Sequence, residues 1–166
     1  MASSSSSSKP RMSFRVFLSF RYEDVRHNFI GHLCTALDQA GIFTYNDIDT
    51  EESWMGEDMS TTIAKAIEES RIASIVFSEE YALSWCCLKV LAKIIECKEQ
   101  KCKEPKDLIV LPVFYKVEPG DLRRWHFEKA VEVHESKLGK DSETVKRWKA
   151  ALYYAGDLFG WRLGYE

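Results

Sequence analysis

The stretch from Phe14 to Arg26, FRVFLSFRYEDVR, constrains the fold of this chain more than any other. Phe14, Val16, Phe17 and Leu18 are apolar, strand-favouring residues with almost no polar side chain between them, the pattern of a strand covered on both faces. The sequence then turns polar within a few residues, and Glu23-Asp24 ahead of Val25 mark a helix start. A buried strand that passes through a short polar loop into a helix is the opening unit of a doubly wound α/β sheet. Ligands of such sheets sit among the loops at the carboxyl ends of the strands. The first of these loops runs from Ser19 to Asp24, so any small-molecule site is expected to draw on Phe20, Arg21 and Tyr22.

The rest of the chain repeats the alternation. Phe29, Leu33, Leu37 and Ala40 share one helical face, and Gly41 ends it. Ile42 to Tyr45 reads as a second strand. The acidic run NDIDTEESWMG, with Trp54 and Gly56, reads as a loop. Met59, Ile63 and Ile67 mark the core face of a second helix, and Ile72 to Phe77 is a near-continuous apolar strand. The segment from Tyr81 to Lys98 carries Leu88, Leu91, Ala92 and Ile95 at helical spacing, and a charged linker closes at Pro105. Leu108 to Tyr115 reads as the fourth strand. Pro112 inside it lacks a ladder donor and predicts a strand end or a bulge. After the turn residues Glu118-Pro119-Gly120-Asp121, one helix uses Phe127, Val131 and His134. The last uses Val145, Trp148, Leu152, Ala155 and Phe159, a 3-4 spacing too short for a coiled coil and suited to a core-facing helix. Strands separated by helical crossovers predict a parallel sheet of four to five strands flanked by helices.

Length and composition bound the function classes. A chain of 166 residues is most simply one domain, here 12–163. Residues 1–11, dominated by Ser3 to Ser8, read as a disordered leader without the apolar core of a secretory signal, a plastid transit role being the alternative. Residues 164–166 read as a tail. The net charge of −3 gives no electrostatic reason to expect nucleic acid, and no apolar run reaches the roughly 18 residues of a membrane span. The five cysteines are odd in number and lack C-x-x-C spacing, so reduced thiols are expected rather than a metal site. A cytoplasmic location follows, with the nucleus as a second compartment.

Four segments together resemble the plant type of Toll/interleukin receptor (TIR) domain: VFLSFRYEDVRHNFIGHL, AIEESRIASIVFSEEYALSWCCL, IVLPVFYKVEPGDLRR, and VKRWKAAL with GDLFGW. They span about residues 14–161 in family order. The resemblance implies a flavodoxin-like domain, found either at the N-terminus of an intracellular immune receptor or as a stand-alone adaptor. It also implies association with itself or another TIR domain. Many plant members, once assembled, cleave the nicotinamide–ribose bond of NAD. NAD is therefore the candidate ligand or substrate, and no other cofactor is expected.

The sequence departs from the family where the chemistry lies. The motif after the third strand carries a catalytic glutamate, and Val90 stands at its place. Cys86 aligns with the motif's tryptophan, while Trp85 falls one position early. Tyr22 replaces a glycine in a loop that lines the nucleotide pocket in the family, and Met55 beside Gly56 replaces a basic residue. A carboxylate at the catalytic position hydrogen-bonds ribose hydroxyls and favours the positive charge that develops as nicotinamide leaves. Valine does neither. Glu79 and Glu80 precede the helix, and Glu96 lies almost two turns beyond Val90, so none is expected to substitute.

Other candidates keep two readings each. Arg21 could contact a phosphate or pair with Glu23 or Asp24. Tyr22 could plug the pocket, stack on an adenine, or be a plain surface residue. Trp54 and Trp85 could rim the pocket or pack. Cys86-Cys87 could be reactive or structural. Gly31-His32 on the first helix matches a family self-association position, against a solvated histidine beside a tolerated glycine. His27 and His126 read as surface residues. The expected function is plant innate-immune signalling through TIR–TIR self- or hetero-association, with NAD cleavage lost. The alternatives are an active NAD nucleosidase that makes signalling nucleotides, and a sensor or decoy that binds a nucleotide without cleaving it.

Overall fold

The structure, a computed structural model, describes residues 15–21, 29–46, 61–100, 108–123, 125–158 and 160–163. The leader, Tyr22, Trp54 and Gly56 lie outside the described residues, as do Met55 and Met59. The apolar run after Phe14 forms β1 (Arg15–Phe20). Its alternating residues serve both faces of the sheet: Phe17 enters the larger core cluster, whereas Val16, Leu18 and Phe20 enter a smaller one on the other side. The partners are β2 (Phe43–Asn46), β3 (Ile72–Phe77), β4 (Ile109–Tyr115) and β5 (Trp161–Leu163). They form one sheet in the order β2-β1-β3-β4-β5, every neighbouring pair parallel. This is the flavodoxin-like order, and its direction reverses between β1 and β3.

Helix α1 (Phe29–Gln39) covers the smaller cluster with Ile30, Leu33, Cys34 and Leu37. The opposite face carries α2 (Thr61–Glu69), α3 (Trp85–Glu99), α5 (Trp125–Leu138) and α6 (Glu143–Gly156), with the single turn α4 (Pro119–Arg123) before α5. Their apolar stripes, among them Ile63, Ile67, Leu88, Leu91, Val131, Trp148 and Leu152, meet in the larger cluster. Over β4 and β5 the α1 face is thinner, and Ile109 and Trp161 are 49% and 57% exposed. Helix α3 starts at Ser84, whose side chain accepts the Cys87 N–H at 3.2 Å. Such a cap contributes about 1 kcal/mol. No helix among the described residues is long and apolar enough to cross a membrane.

The residues read as a turn, Pro119 to Asp121, instead start the short helix α4, and two further departures concern the sheet. Pro112 neither ends β4 nor bulges it, because the register with β3 runs unbroken from Ile109 to Phe114. Pairing with β5 begins only at Val113, and the Pro112 carbonyl faces Gly160. The missing N–H thus falls on the side where the neighbouring strand has not yet begun, which a proline tolerates. The second feature is β5 itself, a three-residue strand after the last helix that the periodicity did not locate.

Candidate functional site

In doubly wound sheets ligands bind at the carboxyl ends of the strands where the strand order reverses, here between β1 and β3. β1 runs out at Phe20, and the chain leaving β3 makes one 3-10 turn (Tyr81–Leu83) before α3 begins. A buried polar relay ties these pieces together. Ser19 Oγ lies 2.8 Å from Tyr81 Oη, and Tyr81 Oη donates to the Cys87 carbonyl at 3.2 Å. The phenol has one proton, so with that proton on Cys87 the serine is the donor to Tyr81. Cys87 Sγ in turn donates to the Phe20 carbonyl at 3.7 Å. Tyr81 is fully buried and meets Phe77 edge-on at 5.0 Å. The carboxyl ends of β1 and β3 and the start of α3 are therefore tied together by buried polar contacts.

Arg21 is the first residue past β1 and is half-buried. Its Nη1 donates to both Oε2 and the backbone oxygen of Glu80, each at 3.1 Å. The acids expected beside it, Glu23 and Asp24, lie outside the described residues; Glu80, 59 positions away, takes the guanidinium. An anion that entered here would compete with a carboxylate already in place.

Val90 is 3% exposed and belongs to the larger core cluster. Cys86, one turn earlier on α3, is 2% exposed in the same cluster, and Phe20 is buried in the smaller one. Trp85 opens α3 half-buried against the core, and the Lys89 ammonium stands 5.2 Å from its ring centroid, a cation–π pair one turn apart. Of the carboxylates weighed as substitutes, Glu79 and Glu80 are exposed, and Glu96 reaches Lys93 at 3.9 Å. Burial acts to lower the Lys93 pKa, but its hydrogen bond to Glu68 and the charges of Cys97, Glu68 and Glu96 outweigh this and raise it. Gly31 and His32 are both exposed on α1.

Sequence reasoning missed the Ser19–Tyr81–Cys87 relay and the role of His134. The one available signal for the relay was a lone serine inside an apolar strand. His134 is 5% exposed, its Nε2 donates to the Ala82 carbonyl at 2.9 Å, and its ring meets Trp148 edge-on at 5.1 Å. It pins the turn ahead of α3 from behind.

The sheet order defines a flavodoxin-like architecture, and the family model described as TIR domain matches residues 13–163. The chain belongs to the TIR domain family. It is 46% identical over 162 residues to TMV resistance protein N of Nicotiana glutinosa, covering 96% of this chain and 13% of that protein. It is 43% identical over 159 residues to Disease resistance protein RUN1 of Vitis rotundifolia, covering 93% of this chain and 11% of that protein. The chain thus spans a small fraction of the length of these relatives. Among solved structures it is similar to the TIR domains of the activated Roq1 resistosome directly recognizing the pathogen effector XopQ. That likeness has a TM-score of 0.77 at 41% identity, and covers 91% of this chain and 88% of the other.

Proposed function

We propose that this chain is a plant disease-resistance signalling module that pairs with itself or another TIR domain and has lost the NAD cleavage of its family. The relatives support the signalling role, being resistance proteins by name. The Roq1 TIR domains belong to a resistosome, an assembled state. For pairing, α1 offers the exposed Gly31-His32 position. The module is proposed to act in the cytoplasm, with the nucleus as a second compartment.

The observation that carries the loss of cleavage is Val90, 3% exposed, at the family's glutamate position. It has no oxygen for the ribose hydroxyls or for the charge on departing nicotinamide, and groups of that kind are worth about 10²–10³ in rate. Glu80 is engaged by Arg21 and Glu96 by Lys93. Concentrated protein incubated with NAD is expected to release no nicotinamide above a buffer control, while its light-scattering mass rises with concentration. Sustained nicotinamide release would overturn this reading. Saturable NAD binding without release would favour the sensor alternative.

A further inference from the structure

Arg21 follows the carboxyl end of β1, beside the reversal of strand order, where a doubly wound sheet takes its ligand. A guanidinium in such a place is a ready partner for an anion. In this chain an internal carboxylate has taken that part. Nη1 of Arg21 meets Glu80 Oε2 and the Glu80 backbone oxygen, each at 3.1 Å. The two bonds have different footings. The backbone oxygen also accepts the Leu83 N–H at 3.0 Å, and the next residue is the buried Tyr81, bonded to Ser19 and Cys87. The carboxylate has no such anchor. Glu80 stands at the N-cap position of the 3-10 turn, yet its side chain caps no backbone N–H. That side chain is 56% exposed, against 21% for Arg21. Backbone thus holds the guanidinium in place, and a mobile acidic side chain occupies it.

We propose that Glu80 is a specificity-determining residue of this site, a built-in competitor that a phosphate-type anion must displace from Arg21. The proposal deepens the sensor alternative given above and rests on its premise that Arg21 meets an anionic ligand. Displacement needs only rotation of the Glu80 side chain into water. An exposed ion pair is weak, so the block is graded rather than complete. Once displaced, the carboxylate stays close and repels the bound anion, most strongly one that carries two or more charges. Glu80 therefore lowers affinity and biases the site towards ligands of low charge, while the bond to its backbone oxygen keeps Arg21 aimed in either state.

The test titrates the isotope-labelled 166-residue chain with inorganic pyrophosphate and follows the amides of Phe20, Arg21, Glu80 and Tyr81. Glu80→Gln should bind about threefold to fivefold more tightly than the unmodified chain, the range that an exposed ion pair is worth. Glu80→Ala, which removes the competing oxygen altogether, should gain at least as much. Arg21→Gln should remove these shifts with or without the Glu80 change. Glu99→Gln deletes the same single charge at the far end of α3, about 20 Å along the helix. At about 0.1 M salt that exceeds the screening length of roughly 10 Å, so affinity should stay within about 1.5-fold. Glu80 and Glu99 are exposed, and matching melting curves will show that all variants fold. A parallel titration with NAD identifies the source of the anion. A similar gain assigns it to a dinucleotide and a gain with pyrophosphate alone to a free anion, and either supports the proposal. Arg21-dependent binding of equal strength in the unmodified chain and both Glu80 variants would overturn the competitor and leave the anion site standing. Absence of any Arg21-dependent shift in every variant would overturn both.

Discussion

At Val90 one side chain couples chemistry to stability. Because it is 3% exposed inside the core, Val90→Glu does more than restore a carboxylate. An uncompensated buried charge costs about 3 kcal/mol or more. At roughly 2–4 °C per kcal/mol for a domain of this size, the melting temperature should fall by on the order of 10 °C. A fall of under about 2 °C would show that the new carboxylate reaches solvent. His134 gives a second residue-scale expectation. Burial pushes its pKa below the ordinary 6.5, Lys137 adds to that, and the bond to the Ala82 carbonyl opposes it. The unfolded chain therefore takes up the proton first as pH falls. Stability present above about 6.5 should be lost as pH drops from there towards the lower folded value, by at most about 1.4 kcal/mol per pH unit. His134→Gln can keep a donor to Ala82 but cannot titrate. Denaturation midpoints of the two proteins across that window should converge as pH falls, and parallel curves would refute the assignment.

At the scale of elements, β5 depends on Gly160. A Cβ there would lie 2.2 Å from the Pro112 carbonyl oxygen and 2.7 Å from its ring, both closer than any real contact. Gly160→Ala should therefore detach β5, and hydrogen exchange at Val113 to Tyr115 should accelerate while β1 and β3 stay protected. Unchanged protection of β4 would mean that the backbone absorbs the methyl group. Elements with long periodic patterns were legible in the sequence: β1, β3, α3 and α6 follow from apolar runs and 3-4 spacings that only one structure satisfies. β5 was not, because three residues carry no periodicity and their place comes from a close approach to Pro112. Pro112 itself misled for the same reason, since its cost depends on where the neighbouring strand begins. The polar carboxyl end of β1 was legible from the loop that follows it. Its partners were not: Arg21 finds Glu80, and Ser19 finds Tyr81 62 positions away, through folding rather than through local sequence. A double-mutant cycle checks that relay. Tyr81→Phe removes the phenol's bonds to the Ser19 hydroxyl and the Cys87 carbonyl and should cost about 1–3 kcal/mol. Adding Ser19→Ala should cost less than the two single losses combined.

At the scale of the whole molecule, association and folding make opposite demands at Gly31. A Cβ placed there meets nothing within 4 Å among the described residues, so no packing seen among them calls for a glycine in α1. A helical glycine costs up to about 1 kcal/mol against alanine. If the position serves only this chain, Gly31→Ala should be simply beneficial, raising the melting temperature by roughly 2–4 °C. If it lets the backbone of a second TIR domain approach closely, the same substitution should stabilise the monomer and weaken its assembly. Gly31→Arg with His32→Ala should go further on the second count alone. Measuring melting temperature at low concentration and mass by light scattering at high concentration separates the two demands. The expected result is a more stable Gly31→Ala protein whose apparent mass rises less steeply with concentration. A more stable variant that assembles as the unmodified chain does would move the association surface away from α1.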